Sequence, residues 1–558
     1  MSDPATVAEL VGRTLAGLGV DTAFGVVGSG NFEVTNALRA AGVRFVAARH
    51  EGGAASMADA YARMTGTVSV LSLHQGCGLT NATTGITEAA KSRTPMIVLT
   101  ADTAGASVLS NFRIDQDALA AAVGAVPERV HSAASARADA VRAYRTARQE
   151  QRTVVLSLPL DVQAQPAPEG LPPLPEVAAR AAVRPDAASV AALAGVLAAA
   201  RRPVFIGGRG ARESAAELRL LADRCGALLA TSAVAHGLFA ADPWSLGISG
   251  GFATPLATEL IGAADVVVAW GCALTMWTTR HGRLLHPDAA VVQIDREQAA
   301  LGAHHPVELG VLGDVARTAE DVRAALGAGG HPATGYRTAE VGARIAAGAR
   351  WTDVEHEDLG EPDRIDPRTL SAALDAMLPA DRIVSVDSGN FMGYPSAYLS
   401  VPDQHGFCFT QAYQCVGLGL GTAIGAALAR PDRLPVLGVG DGGFHMAVSE
   451  LETATRLAIP LVVIVYNDAA YGAEVHHFGP ASRADGGRPD MGAVRFPDTD
   501  IAAIGRGFGC AGVTVRRDAD LRAVRDWLAG PRTAPLVIDA KIADDGGSWW
   551  LADAFRHH

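Results

Sequence analysis

Short apolar runs alternate along the chain with longer stretches in which apolar residues recur at helical spacing. In the first 165 residues an amphipathic helix is predicted at 7–18, and a series of apolar runs reads as buried strands. The strands are predicted at 22–27, 43–47, 68–73, 95–99 and 153–158. Strands that alternate with helices in this way pair in parallel, so the pattern predicts an α/β unit with a mostly parallel sheet.

The same alternation returns twice further along the chain. The later strands are predicted at 203–206, 266–270, 291–295, 383–387, 434–439 and 461–465. A proline-rich segment at 166–185 and a segment at 329–363 are predicted connectors. Because 558 residues are too many for one core, we predict an α/β fold with three doubly wound, mostly parallel-sheet domains. The predicted domains span 1–165, 186–328 and 364–545.

Composition and charge limit the function classes. Hydrophobic residues make up 49% of the chain, as in a globular protein, and the net charge of −12 argues against non-specific binding to nucleic acid. Apolar runs are too short for a membrane span, and the start at 1–4 lacks the basic and apolar regions of a signal peptide. The six cysteines are scattered without metal-type pairs, so we expect reduced thiols in a cytoplasmic protein.

The most informative segment begins after a predicted strand, with the run Gly-Asp-Gly-Gly at 440–443. A helical pattern and a second apolar strand follow, and that strand leads into Asn-Asp at 467–468. Loops at the carboxyl ends of strands bind ligands in open α/β sheets, and a helix N-terminus after glycines offers N–H groups to a phosphate. Asp441 and Asp468 add the oxygens that Mg²⁺ prefers. The spacing indicates a Mg²⁺–diphosphate site; a plain turn with a helix-capping Asp is the alternative.

This segment resembles the thiamine diphosphate signature of the decarboxylase and acetolactate synthase family, in which Gly-Asp-Gly is followed further on by Asn-Asn. The resemblance covers nearly the whole chain, in the order pyrimidine-binding, middle Rossmann-like and diphosphate-binding domain. It implies that Asp441 and Asp468 hold Mg²⁺ by their side chains and Ala470 by its carbonyl. Asp468 departs from the family, which usually has Asn there, and adds a negative charge near the diphosphate. The residues implied to contact the cofactor are Gly389, Asn390, Gly440, Gly442, Gly443 and Asn467.

The same resemblance assigns residues that activate and bend the cofactor. The sequence at 50–63 is similar to the family motif around a glutamate that hydrogen-bonds a pyrimidine ring nitrogen, which implies this catalytic role for Glu51. Val416 aligns with the apolar residue that bends the cofactor, and the Gln414 carbonyl is then implied to accept from its 4′-amino group. The alternatives are a solvated Glu at a helix N-terminus for Glu51 and simple core packing for Val416.

The substrate side of the predicted site is less specific. Glu474 lies six residues after Asp468, an offset at which pyruvate decarboxylase-like enzymes carry a glutamate that protonates an enamine or handles a substrate carboxylate. His74 and Gln75 end a predicted strand and are expected to face the site, although a lone His is more often structural. The first unit has no paired His, which argues against a decarboxylase.

Together these residues predict an enzyme that depends on thiamine diphosphate and Mg²⁺. We expect it to decarboxylate a small 2-oxo acid, with pyruvate as the expected donor, and to transfer the acyl carbanion equivalent to a second carbonyl. A decarboxylase that releases an aldehyde is the second interpretation and a benzaldehyde lyase-like enzyme the third, while the intact Glu51 and Asp441 argue against a non-catalytic homologue. The glycine loop at 207–210 lacks a full GxGxxG motif and leaves FAD binding open. The resemblance also implies a homodimer or homotetramer with active sites at the subunit interface.

Overall fold

The computed structural model of the protein describes residues 5–178, 180–328, 335–479, 489–546 and 548–554. Over these residues the chain forms three six-stranded sheets, and all neighbouring strands in them are parallel. This confirms the predicted α/β class with three mostly parallel units. Within the described ranges, no helix combines the length and the apolar character needed to cross a membrane.

The N-terminal unit supplies the first sheet. Its strands are β1 (Thr22–Gly25), β2 (Arg44–Ala47), β3 (Ser69–Leu73), β4 (Met96–Asp102), β5 (Val126–Arg129) and β6 (Thr153–Pro159). Its helices are α1 (Val7–Gly17), α2 (Phe32–Ala40), α3 (Glu51–Thr65), α4 (Cys77–Lys91), α5 (Gln116–Ala122), α6 (Ala136–Glu150) and α7 (Leu160–Gln163). The strand order is β2-β1-β3-β4-β6-β5. Alternate side chains of the central strands enter two separate cores, so helices cover both faces of the sheet.

The middle unit repeats this design. Its strands are β7 (Pro203–Gly207), β8 (Leu228–Thr231), β9 (Ser245–Ile248), β10 (Val266–Trp270), β11 (Ala290–Asp295) and β12 (Leu309–Leu312), in the order β12-β11-β10-β7-β8-β9. Its helices are α8 (Ala187–Ala199), α9 (Ala215–Cys225), α10 (Pro255–Gly262), α11 (Met276–Thr279) and α12 (Val315–Ala328). The following helix α13 (Ala339–Gly348) packs on this unit, because Val341 and Ile345 belong to one of its two cores.

The C-terminal unit carries the third sheet. Its strands are β13 (Arg382–Val386), β14 (Phe407–Phe409), β15 (Leu434–Gly440), β16 (Val462–Asn467), β17 (Ala511–Val515) and β18 (Leu536–Lys541), in the order β14-β13-β15-β16-β18-β17. Its helices are α14 (Pro367–Met377), α15 (Gly393–Tyr398), α16 (Gly419–Ala429), α17 (Asp441–Ala447), α18 (Glu450–Arg456), α19 (Gly472–Phe478), α20 (Ile501–Gly507), α21 (Arg522–Ala529) and α22 (Trp549–Ala554). The central strands β15, β16 and β18 are almost completely buried.

The outer units contact each other through α3 and α16, whose side chains share one core. Glycines permit the close approach of the two helices. A Cβ on Gly421 would lie 2.8 Å from the carbonyl oxygen of Gly53, and a Cβ on Gly425 would lie 2.2 Å from that of Met57. Since α16 directly follows the loop at 410–418, this contact holds that loop against the N-terminal unit.

Candidate active site

The two acidic loops lie side by side at the carboxyl edge of the third sheet. Gly440 pairs with Tyr466 across β15 and β16, so Asp441 and Asp468 follow their strands at nearly the same level. The two side chains are hydrogen-bonded to each other, and burial raises the pKa of both carboxyls, with repulsion from Asp441 adding to the rise at Asp468. Two buried carboxyls in contact disfavour a double negative charge and therefore suit a divalent cation, which would neutralise both.

Asn467 shapes the turn between these carboxylates and does not line the cavity beside them. Its Nδ2 donates to Asp539 Oδ1 at 2.8 Å, and its Oδ1 accepts from the Ala469 N–H at 3.1 Å. Asp468 Oδ1 accepts from the Ala470 N–H at 3.2 Å. No group of three or more His, Cys, Asp or Glu side chains clusters as a metal site in the described part of the chain. A site of two carboxylates and a carbonyl, such as Ala470 offers, suits Mg²⁺ that also binds phosphate and water.

A cavity of about 1530 Å³ opens beside these loops and extends to the middle unit. It brings together most of the residues that the sequence predicts for the site. Those that line it are Gly389, Asn390, Gln414, Val416, Gly440, Asp441, Gly442, Gly443, Asp468, Ala470 and Glu474. Glu51, His74, Gln75 and Asn467 are not among the described residues that line it.

The buried carboxylate of Asp387 joins the loops around this cavity. It accepts from the Ser388 N–H at 2.8 Å and from the Gly417 N–H at 2.9 Å. A Cβ on Gly443 would lie 2.2 Å from Asp387 Oδ2, so the chain approaches closely there without room for a side chain. Burial raises the pKa of Asp387 to about 6, although the backbone donors act in the opposite direction. Asp387 carries no sequence-predicted role; its place at the end of a strand before Ser388 is the signal that marks it.

The loop that carries Gln414 and Val416 is held by a glutamate of the N-terminal unit. Glu88 is 1% exposed and accepts from the backbone N–H groups of Ala412 at 3.1 Å and Tyr413 at 2.6 Å. Gln414 has a positive φ of 57°, which is uncommon for a residue with a side chain. The hydrogen bonds to Glu88 therefore help to hold a strained segment in place.

Arg63 neutralises this buried glutamate. Its guanidinium lies 2.8 Å from Glu88 Oε1 and 2.7 Å from Asp59 Oδ2, and it also donates to the Phe409 carbonyl at 3.2 Å. Thr94 completes the cluster by donating to Asp59 Oδ1 at 2.6 Å. Burial raises the pKa of Asp59, and the charge of Arg63 counteracts part of that rise. Because removing one member of such a cluster leaves a buried charge unpaired, the cluster ties the two outer units firmly together.

Glu51 lies at the N-terminus of α3, outside the cavity. Its Oε2 accepts from Asn81 Nδ2 at 3.0 Å, which orients the carboxylate along the surface of the N-terminal unit. The backbone before it is fixed by Glu450 of the C-terminal unit, whose Oε1 accepts from the Arg49 N–H at 3.1 Å and the His50 N–H at 2.9 Å. Glu450 is 1% exposed and has no sequence-predicted role. Hydrogen bonds from both outer units thus fix the Glu51 carboxylate and the backbone before it, and the Glu51 side chain stays partly exposed.

His74 and Gln75 lie near Glu51 on the N-terminal unit. The His74 ring meets Phe112 edge to face, with 4.9 Å between centroids, and its Nε2 lies 3.4 Å from Ser29 Oγ. Gln75 is 3% exposed, and a Cβ on Gly30 would lie 1.8 Å from its Oε1. Gln75 is therefore buried against the loop around Gly30, whereas the His74 side chain is partly exposed.

Glu474 is exposed on the cavity wall, in α19 after the Asp468 turn. A carboxyl at this place can meet a molecule that enters the cavity. The far end of the cavity lies in the middle unit and is lined by arginines, including Arg209 and Arg296. Desolvation by the cavity walls, followed by repulsion from neighbouring arginines, lowers the pKa of Arg209 to about 10. Positive charge thus accumulates at the far end of the cavity.

The three α/β units, the paired carboxyls and the glycine-lined cavity define a cofactor-dependent enzyme of the thiamine diphosphate class. Family profiles for thiamine pyrophosphate enzymes, another name for the same cofactor, match all three units: the N-terminal TPP binding domain matches residues 5–121, the central domain 190–322 and the C-terminal TPP binding domain 387–540. The chain therefore belongs to the thiamine pyrophosphate enzyme family, as the sequence resemblance predicts.

Curated relatives show which chemistries occur in this family. The chain is 29% identical to sulfoacetaldehyde acetyltransferase of Rhodobacter capsulatus, over 98% of this chain and 96% of that protein. It is 32% identical to the probable 2-ketoarginine decarboxylase of Pseudomonas aeruginosa, over 94% and 92% of the two chains. It is 28% identical to a probable acetolactate synthase of Mycobacterium bovis, over 96% of each. The chain is thus a thiamine diphosphate-dependent enzyme of transferase or lyase type.

Proposed function

We propose that the chain is a carboligase that depends on thiamine diphosphate and Mg²⁺ and uses pyruvate as its 2-oxo acid donor. It removes carbon dioxide and passes the remaining acyl unit to a second carbonyl compound. The observation that supports the dependence on cofactor and metal most strongly is the cavity, in which Asp441, Asp468 and the glycine loops share a wall. The printed names of two relatives, an acetyltransferase and an acetolactate synthase, also favour transfer of an acyl unit.

The cavity residues fit the cofactor. Asp441 and Asp468 would hold Mg²⁺ together with the Ala470 carbonyl, and Gly389, Asn390, Gly440, Gly442 and Gly443 would contact the diphosphate. When bound, the cofactor would supply an electron sink for the electron pair of the carbon–carbon bond that breaks as carbon dioxide leaves. Val416 would pack against the rings of the cofactor, and the Gln414 carbonyl would accept an N–H from its amino group. Glu51 would hold a proton at the pyrimidine ring, and Glu474 would deliver or remove a proton at the substrate end.

A second copy of the chain must bring Glu51 to the cavity in this proposal. Glu51 and His74 sit on the N-terminal unit outside the chain's own cavity. Large apolar side chains are exposed on both the N-terminal and the C-terminal unit. Leu109 and Phe112 lie in the segment after β4, where Phe112 meets His74, and Met446 and Tyr471 lie on the cavity wall. Exposed apolar groups of this kind mark surfaces that become buried on association. We therefore propose a homodimer or homotetramer with active sites at the subunit interface.

Mixing two inactive variants tests the shared site. In this proposal Glu51→Gln removes the carboxylate that a chain contributes to the cavity of its partner. Asp441→Ala removes a metal ligand from the chain's own cavity. A mixed dimer then contains a site with both defects and a site with neither, so co-expression with different affinity tags restores activity. Dimers of either variant alone serve as controls and stay inactive. If the isolated mixed dimer is also inactive, Glu51 and Asp441 do not act across the interface.

Product analysis tests the reaction. The purified protein is incubated with pyruvate, thiamine diphosphate and Mg²⁺, with and without an added aldehyde. Acetolactate or another acyloin is the expected product. Omitting Mg²⁺ in the presence of a chelator should stop turnover, and Glu51→Gln should retain cofactor binding but not turnover. Failure to consume pyruvate would refute the donor assignment.

A decarboxylase that releases an aldehyde is the second candidate. The exposed Glu474 favours it, because a carboxyl at the cavity wall can protonate a bound carbanion equivalent. The relative at 32% identity is named as a decarboxylase. Acetaldehyde alone, with no acyloin even when an acceptor aldehyde is present, would decide for this candidate. Glu474→Gln would then reduce aldehyde release.

We also propose that the far end of the cavity holds an anionic nucleotide such as FAD. The arginines Arg209, Arg296 and Arg93 line it, and Asp295 at the end of β11 provides an acceptor of the kind that binds ribose hydroxyls. A Cβ on Gly208 would lie 2.3 Å from the Gly271 carbonyl, so two loops meet closely beside the cavity. Visible flavin absorbance of the purified protein tests FAD, and mass spectrometry of the heat-released fraction tests any other nucleotide.

A further inference from the structure

The C-terminal segment, residues 542–546 and 548–551, folds back over the loop at 389–394, which carries two of the predicted diphosphate contacts. Trp550 is 1% exposed, and a Cβ on Gly393 would lie 2.4 Å from its indole ring. The Tyr394 hydroxyl donates to Asp545, which ties the segment to the same loop a second time. The C-terminal segment is therefore a packed part of the cavity wall.

A second hydrogen bond links this segment to the loop at 389–394. Ser548 Oγ donates to Asn390 Oδ1 at 2.7 Å, and the two residues are 4% and 8% exposed. Because the oxygen of the amide is occupied by Ser548, its Nδ2 points away from the segment. A Cβ on Gly472 would lie 3.4 Å from Asn390 Nδ2 and 2.3 Å from Asp468 Oδ2. The Asn390 amide nitrogen and the Asp468 carboxylate thus converge beside Gly472, at the acidic end of the cavity.

The two ends of an asparagine amide have opposite hydrogen-bonding character. The nitrogen donates and the oxygen only accepts, so a diphosphate oxygen is bound by the nitrogen and repelled by the oxygen. With the amide in the observed orientation, the Ser548 hydroxyl and an anion are both satisfied. With the amide turned over, its oxygen would face the anion. We propose that Ser548 is a positioning residue that orients Asn390 for the diphosphate, an inference that rests on the cofactor site proposed above.

Cofactor affinity in a serine-to-alanine pair tests this role. Ser548→Ala frees the amide to turn, and we expect the Kd for thiamine diphosphate at saturating Mg²⁺ to rise about tenfold. Ser396→Ala is the matched control, since Ser396 is also buried and donates at 2.7 Å to the carbonyl of Met392, a cavity-lining residue with no predicted contact to the diphosphate. Its Kd should change by less than about twofold. Isothermal titration calorimetry measures both, and Ser548→Thr, which keeps the hydroxyl, should restore most of the affinity.

The background of Asn390→Ala separates orientation from general packing. If Ser548 acts through the Asn390 amide, Ser548→Ala has no further effect on Kd once that amide is gone. A purely structural role of the C-terminal segment would produce the same loss in both backgrounds. Equal losses in the two backgrounds, or a loss no larger than that of Ser396→Ala, would overturn the inference.

The outcomes distinguish this inference from the proposed function. If the unmodified protein does not bind thiamine diphosphate, the proposed cofactor site and the role of Ser548 are both wrong. If it binds the cofactor and Ser548→Ala binds it equally well, only the role of Ser548 is wrong. Circular dichroism checks that each variant is folded. Ser548→Cys, which keeps the size but donates weakly, gives the same comparison if the alanine variant does not fold.

Discussion

Replacing Glu88 by Gln tests how the loop around Gln414 and Val416 is held. The carboxylate is 1% exposed and accepts from four donors, two of them backbone N–H groups of this loop. Gln has the same shape, but one of its two oxygens becomes an NH₂ group that faces donors. Depending on which side the NH₂ group takes, the exchange removes a charge-assisted hydrogen bond from Arg63 or from a backbone N–H at 412–413. The donor that loses its acceptor then stays buried without a partner. We expect the free energy of unfolding to fall by about 3–5 kcal/mol.

An exposed ion pair in the same contact region between the two units provides the comparison. Arg49 and Glu452 lie 2.6 Å apart, but their side chains are 53% and 29% exposed, so Glu452→Gln should lower the free energy by less than about 1 kcal/mol. Urea unfolding followed by tryptophan fluorescence measures both variants. Cofactor titration should show weaker binding for Glu88→Gln alone, because its loop is loosened. Equal stability and equal Kd for the two variants would refute the reasoning.

Other predictions concern single contacts. Gly53→Ala should lower the free energy of unfolding by about 1–3 kcal/mol, because its Cβ would lie 2.4 Å from Glu450 Oε1; unchanged urea unfolding would contradict this. Burial raises the pKa of Asp387 to about 6, so the native state binds its proton more tightly than the unfolded state and loses relative stability as the pH rises from about 4 to about 6. Asp387→Asn should therefore flatten this part of the stability–pH curve, measured as the difference from the unmodified protein. Asp441→Asn should weaken Mg²⁺ binding at least about tenfold. The increase of Mg²⁺ affinity with rising pH should also become smaller, because only one carboxyl with a raised pKa then exchanges its proton for the metal. Calorimetry at two pH values measures both effects, and an unchanged pH dependence would contradict the reasoning.

Most central strands were predicted from the sequence, although β8 and β18 were not, whereas among the edge strands of the described residues only β2 was predicted. β10 and β16 are buried on both faces, so their residues form nearly continuous apolar runs that stand out from the helices around them. β5 contains Pro127 and Glu128 and is partly exposed, and β17 is half-buried over most of its length. Neither strand produces an apolar run or a clean alternation. Their place in the sheet follows from pairing with β6 and β18, which is a tertiary property.

The residues that face the cavity were predictable for a different reason than those that support it. Asp441 and Asp468 stand at strand ends within one short segment, where spacing alone brings them together. Glu88 acts on backbone groups 324 and 325 positions away, and Glu450 on groups 401 and 400 positions away. A backbone N–H has no residue type, so no pattern in the sequence marks a carboxylate that accepts from it. The supporting carboxylates could therefore be found only from the folded chain.

In our proposal, these supporting carboxylates serve the active sites of two different copies of the chain. Glu88 reaches from the N-terminal unit to the loop that carries Val416, so each chain holds this loop at the wall of its own cavity through its own side chains. Glu450 reaches from the C-terminal unit to the backbone before Glu51, a residue that in our proposal serves the cavity of the partner. Both contacts lie within one chain and are formed in the structure without a second copy. In our proposal, association therefore only brings together two parts of the active site that each chain has already formed. An active site can then lie at an interface although its parts do not depend on that interface for their conformation.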